Sequence, residues 1–254
     1  MCTRYIPPDV AEMEREWHVG AHNQPEWGRD LRPLQYGPFL RRARDGAGNG
    51  LELVVGQWGL IPSWSKTKIP TNSQGKRLKT FNARSEDMAA KPTYQSSWKA
   101  GRRCIIPAAA FIEPNWETLV HVPWVFRRAD GAPWGLAGLW NTWTDLSTGE
   151  VVESYTMLTL NADAHPLMKR MHKPVVDPKT KQPLPAALQD KRSVIAIEHG
   201  NLDLWLAGTI EEAKALLKLT PVEMFDAAPL MPPAAAPSAR RDEEPEPPTQ
   251  GVLL

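Results

Sequence analysis

The sequence predicts a single α+β domain rich in strands, and three observations carry that expectation. Twenty-five Pro and 17 Gly in 254 residues favour turns and short extended segments over long helices. Apolar residues recur in short extended runs bounded by turn signals. Helical spacing is confined to one segment near the start and two near the end. A hydrophobic content of 42% and a net charge of +1 are ordinary for a globular chain with a sizeable core.

Taken in order, "VAEMEREWHVG" (10–20) has helical spacing and closes on Gly20. "YGPFLRRA" (36–43) and "LELVVGQWGLIPSW" (51–64) read as extended, and a polar, basic stretch follows over 65–87. "RRCIIPAAAFIEP" (102–114), "VPWVFRRADGAPWGLAGLW" (122–140) and "ESYTMLTLNADA" (153–164) supply further strands, with "ADGAP" and "LSTGE" as hairpin turns. "LDLWLAG" and "TIEEAKALLKL" supply two late helices, the second opened by Thr209 with an acidic first turn. The turn-rich stretch 177–190 reads as an inserted loop. From 229 to 254 seven Pro and four Ala in 26 residues cannot bury enough apolar surface to offset ordering, so this tail is expected to be disordered. The folded body is then 2–228.

No apolar run reaches the ~18 residues of a membrane span, and no signal-peptide pattern opens the chain. Two cysteines are too few for a disulfide framework or a Cys-based zinc site; no metal or cofactor is expected. A cytoplasmic monomer with reduced thiols follows as the expectation. The near-neutral total hides a skew. Between Leu60 and Cys104 ten Lys or Arg face only Glu86 and Asp87, a local net of +8. Trp58, Trp64, Phe81, Tyr94 and Trp98 are interleaved with them. Basic side chains neutralise phosphates and aromatic faces stack unpaired bases; a solvated loop face is the equal alternative.

Candidate catalytic residues are few. Cys104 lies in an apolar run and reads as a small buried hydrophobe. Cys2 has polar neighbours, and removal of Met1 would give it both a thiol and an α-amine. Such a 1,2-aminothiol condenses with an aldehyde to an imine, which the thiol closes to a five-membered ring. Glu113, after a strongly apolar stretch, is either salt-bridged or tuned for acid–base work. His172 sits among Lys169, Arg170 and Lys173 and is a surface ring or a general acid–base. In "FNARSE" (81–86) Asn82 and Arg84 share one face of an extended segment, suited to holding a phosphate or sugar oxygen. A loop amide and a surface ion pair of Arg84 with Glu86 or Asp87 fit equally well.

Read together, "MCTRY", "WGLIPSW" (58–64), "FNARSE" (81–86), "RRCIIPAAAFIEP" (102–114), "AGLWNTW" (137–143) and "HPLMKRMHKP" (165–174) occur in an order that resembles the SOS response-associated peptidase family, the abasic-site processing proteins. The resemblance implies a β-rich α+β domain with twisted antiparallel sheets around a positively charged groove for single-stranded DNA, in a nucleoid-associated cytoplasmic protein. It implies that Cys2 is the nucleophile, ending as a thiazolidine crosslink to the ring-opened aldehyde of an abasic site. The family's asparagine, glutamate and histidine fall on Asn82, Glu113 and His172, with His165 as a competing histidine. DNA contacts fall on Arg4, Trp64, Arg84, Arg103 and Arg192. The chain departs from the family pattern at Thr3, at Pro114, and where 177–190 separates His172 from Arg192.

That resemblance implies crosslinking with possible abasic-site lyase and autopeptidase activity. Two rival readings stand beside it: a non-covalent single-stranded DNA binding module with an inert Cys2, and a cysteine-type peptidase in which Cys2 and His172 pair as nucleophile and base.

Overall fold

The computed structural model describes residues 1–20, 25–44 and 50–230. Its strands are β1 (Tyr5–Ile6), β2 (Tyr36–Arg42), β3 (Leu51–Trp58), β4 (Asn82–Arg84), β5 (Arg103–Ala108), β6 (Ala110–Asn115), β7 (Val122–Arg128), β8 (Trp134–Thr144), β9 (Val151–Asn161), β10 (Arg192–Val194) and β11 (Phe225–Pro229). The helices are α1 (Val10–Trp17), α2 (Gln95–Lys99), α3 (Leu202–Ala207) and α4 (Ile210–Ala215).

Strands β3, β2, β5, β8 and β9 pair in that order, and β9 returns to β3, closing a barrel. The expectation of antiparallel sheets is corrected here: β3 and β4 both run parallel to β9, so the barrel is mixed. Strands joined by a tight turn must be antiparallel, as β8 and β9 are. The long stretch between β3 and β9 leaves room for a crossover and hence a parallel pair. A second, four-stranded sheet has the order β1–β6–β7–β11.

Successive strand residues face opposite ways, and here both faces of the barrel wall are covered. Leu40, Ile105, Ala137 and Leu158 face a core shared with Met13 and Trp17 of α1, Trp98 of α2 and Trp205 of α3. Their neighbours Phe39, Cys104, Leu136 and Met157 face a second core with Tyr5 of β1, Phe111 of β6 and Phe126 of β7. This two-sided burial explains why the strands read as apolar runs rather than clean alternation. Cys104 is fully buried, as its apolar setting predicts.

Helix α1 begins with Asp9 accepting the Glu12 N–H at 2.7 Å. It stops at His18, whose left-handed φ of 54° ends it two residues before the expected Gly20. Helix α4 opens at Thr209 as expected, and Glu212 completes a capping box with it. Helix α2, five residues within the positively charged span from Leu60 to Cys104, has too short an apolar pattern to announce itself. The 177–190 stretch forms an exposed excursion entered by a Val176–Pro183 bridge. Strand β11 runs to Pro229, the first residue of the expected tail; 231–254, like His22, lie outside the described residues. Among the described residues no helix is long and apolar enough to cross a membrane.

Candidate active site at the N-terminus

Chain ends usually fray, but here the N-terminal segment is locked into the fold. The backbone of Tyr5 exchanges hydrogen bonds with Leu31 at 3.1 and 2.8 Å, while β1 pairs with β6 on its other side. The Tyr5 hydroxyl meets that of Tyr155 at 2.6 Å in the core. Gly37 is required beside them, because a Cβ there would fall 2.6 Å from both hydroxyl oxygens. Cys2 is consequently fully buried.

Strand β6 explains how the other groups arrive. Strand β7 occupies one edge of β6 from Phe111 to Asn115. The opposite edge is shared between two segments. The Ile112 N–H donates to the Arg4 carbonyl at 2.9 Å, and beyond it the His172 N–H donates to the Pro114 carbonyl at 2.7 Å. Glu113 lies at the junction, where the N-terminal segment gives way to the segment carrying His172.

Glu113 is 1% exposed, and its Oε2 lies 2.8 Å from His172 Nε2 and 3.9 Å from the Met1 ammonium. Burial alone would push this carboxyl up, but the ammonium and the histidine outweigh burial and hold it below the usual range. The Met1 nitrogen also meets His172 Nε2 at 2.5 Å. One ring nitrogen cannot donate to a carboxylate while accepting from an ammonium. The two contacts therefore belong to alternative proton positions, linking amine, imidazole and carboxylate.

Asn82 enters from the barrel wall. Ala83 faces the helical-side core, which turns Asn82 and Arg84 to the other face of β4, as the extended spacing predicts. Asn82 Nδ2 donates to the Cys2 carbonyl at 2.6 Å, and its buried Oδ1 has no partner. The Tyr94 hydroxyl donates to the Asn82 carbonyl at 3.0 Å. Burial pushes the Cys2 thiol well up and Glu113 adds to this, so the group is a thiol at neutral pH. The Cys2 Sγ–H donates to the Arg4 carbonyl at 3.4 Å.

Cys2, Asn82, Glu113 and His172 are thus brought together. His165 is separate: its Nδ1 accepts the N–H groups of Leu167 and Met168 at 3.2 and 3.0 Å, and its Nε2 meets the Thr220 carbonyl at 2.9 Å. It is 5% exposed and caps the turn that leads to His172.

The five residues assigned to DNA contacts divide. Arg4 is half-buried and holds Asp30 through both carboxylate oxygens, at 2.8 to 3.1 Å. Arg84 is exposed and pairs with Asp190 rather than with Glu86 or Asp87. Trp64 is 47% exposed, its indole N–H donating to the Pro92 carbonyl at 3.3 Å. Arg103 and Arg192 stand apart from these three, each only 4% exposed. The Arg103 guanidinium donates to the carbonyls of Trp205 and Gly208 at the end of α3. Arg192 clamps Glu86 at 2.9 and 2.6 Å and the Thr159 carbonyl at 2.9 Å. Neither guanidinium has a free surface for a phosphate. The basic stretch also meets acids from elsewhere in the chain, Lys68 with Glu150 at 2.6 Å among them.

Sequence reasoning missed Asp30 and Asp190, whose pairing with Arg4 and Arg84 spans 26 and 106 residues and leaves no local signal. It also passed over Lys191, which stands beside Arg192 on the approach to β10.

Known proteins resemble this chain in sequence and in fold. The abasic site processing protein HMCES of Gallus gallus is 28% identical over 175 residues, 56% of this chain and 51% of that protein. That of Pongo abelii is 25% identical over 213 residues, 64% of this chain and 57% of that protein. The chain spans about half the length of these curated relatives. A crystal structure of a protein from Bordetella bronchiseptica superposes with a TM-score of 0.74 at 33% identity, covering 91% of this chain and 100% of that one. Another from Bacteroides thetaiotaomicron, at 19% identity, shares the fold with a TM-score of 0.68 over 91% of this chain and 92% of that one. The profile of the SOS response associated peptidase family matches residues 1–232, and this chain belongs to that family.

Proposed function

We propose that the protein captures abasic sites in single-stranded DNA as a covalent adduct through Cys2 once Met1 is removed. The observation that carries this reading is the convergence of Cys2, Asn82, Glu113 and His172 at a locked N-terminus. Loss of Met1 leaves Cys2 with an α-amine, a group that ordinarily titrates at about 7.7–8.0 and so is partly neutral and nucleophilic in the cell. His172 gives a proton to the sugar ring oxygen as the ring opens to the aldehyde. The amine adds to the aldehyde carbon, and water leaves with protons shuttled by Glu113, forming an imine. The Cys2 sulfur then bonds to the imine carbon while its proton passes to nitrogen, closing the thiazolidine. The whole sequence releases one water.

The raised thiol favours this order, since amine attack needs no thiolate. It disfavours the cysteine-peptidase reading, because His172 contacts Glu113 and the thiol stays protonated. Asn82 holds the Cys2 carbonyl and so fixes the reacting residue in place. Arg4 and Arg84 take phosphates by exchanging their aspartates, with Trp64 beside the strand, in a positively charged groove. Elimination at the 3′ side of the imine gives a minor lyase activity, and removal of Met1 by the protein itself is the peptidase activity.

The test is to mix the protein with single-stranded DNA carrying one abasic site. A denaturation-resistant adduct is expected, absent with Cys2→Ala and Cys2→Ser. An equally stable adduct from either variant refutes the assignment, and salt-sensitive binding without adduct favours the non-covalent module.

A further inference from the structure

His172 stands on a backbone that opposes it. Its φ is 63°, a left-handed conformation that a residue with a Cβ seldom adopts. Something must hold the chain there, and the flanking residues offer little. Met171 ends a three-residue 3-10 turn, and Lys173 and Pro174 lead into the exposed excursion.

The holder comes from the far side of that excursion. Lys191 is 7% exposed, and its ammonium donates to the Met171 carbonyl at 2.8 Å and to the His172 carbonyl at 2.6 Å. The lysine backbone is itself anchored, its N–H donating to Asp163 Oδ1 at 2.6 Å, with the Asp190 N–H on the other oxygen at 3.1 Å. Among the described residues no carboxylate is bonded to the ammonium, and the cation serves two peptide carbonyls. Burial lowers its affinity for the proton and Asp163 partly opposes this.

From these contacts we infer that Lys191 is a positioning residue: its ammonium clamps the carbonyls of Met171 and His172 and thereby aims the His172 ring at Glu113. The His172 N–H is held by Pro114 on one side and its carbonyl by Lys191 on the other, which fixes the backbone from which the ring reaches Glu113 at the junction on β6. The clamp also explains how a 14-residue excursion, 177–190, can sit next to the site without disturbing it: the chain is pinned across its two ends. The role of Lys191 in the reaction rests on the function proposed above; its role in orienting His172 does not.

The experiment separates the two. The histidine ring signals of Lys191→Met and Lys191→Arg are compared with the wild type by NMR without DNA, and single-turnover crosslinking to an abasic oligonucleotide is followed in parallel. In Lys191→Met the His172 ring signals shift and lose their dependence on Glu113, those of His165 stay, and crosslinking slows about 10- to 100-fold with DNA affinity kept. Lys191→Arg, still able to donate to two carbonyls, restores both readouts in part. Should Lys191→Met fail to fold, Lys191→Gln takes its place. His172 signals that are unchanged in a folded Lys191→Met or Lys191→Gln protein overturn the inference. If those signals move while the wild type makes no adduct at all, the positioning stands and the proposed function falls.

Discussion

Glu113 is the residue on which the proposed chemistry turns. A buried carboxylate is costly unless paired, and among the described residues this one is paired with the His172 ring and the terminal amine. Glu113→Gln keeps the shape and removes the charge. Crosslinking is expected to slow about 10²- to 10³-fold, within the usual range for general acid–base groups, while affinity for abasic single-stranded DNA stays within about twofold. A collapse of affinity instead makes Glu113 structural. Its depressed proton affinity also has a stability consequence in the form that carries Met1. A carboxyl held below its unfolded value contributes stability above about pH 4.3, and that contribution fades as pH falls through the folded value. The melting-temperature difference between wild type and Glu113→Gln is therefore expected to be largest near neutral pH and to shrink in acid; a constant difference contradicts the ionised assignment. The four converging side chains were legible in the sequence through their motifs. That Cys2 is buried was not, because its neighbours in sequence are polar and its neighbours in space come from β4 and β6.

At the level of elements, α3 and α4 show how local signals and long-range pairing divide the work. The Thr209 cap was readable because donor and acceptor lie three residues apart. Thr209→Ala is expected to cost about 1 kcal/mol and lower the melting temperature by about 2–4 °C, with crosslinking unchanged. The partner of the last α3 carbonyls could not be read, because it is Arg103, a hundred residues earlier on β5. Arg103→Leu loses charge-assisted hydrogen bonds worth about 1.5–3 kcal/mol each and is expected to destabilise the fold by at least one such bond. Its DNA affinity should match the wild type. A selective loss of DNA affinity in a protein of unchanged stability restores Arg103 to the DNA surface. Parallel pairing of β4 with β9 escaped the sequence for the same reason: a three-residue strand carries no register information, yet this one delivers Asn82.

For the molecule as a whole, a net charge of +1 with a local excess of +8 sets the terms of the proposed DNA binding. Part of that excess is already met by Asp190 and Glu150, so fewer cations are free for phosphates than the raw count implies. Binding to single strands should weaken with salt by a log–log slope of about −0.7 for each phosphate neutralised. Arg84→Ala is expected to reduce that slope by about one such step, and Arg192→Ala to leave it in place while lowering stability; the reverse result moves the proposed DNA contact from Arg84 to Arg192. The strand-rich domain was legible because both barrel faces are buried and apolar. Which arginines reach solvent was not, since exposure depends on partners far along the chain. The most direct measurement of the central claim is the intact mass of the purified adduct with an abasic single strand. The account predicts the mass of the protein without Met1 plus that of the DNA, less one water. An adduct on protein that retains Met1, or one attached away from Cys2, contradicts it.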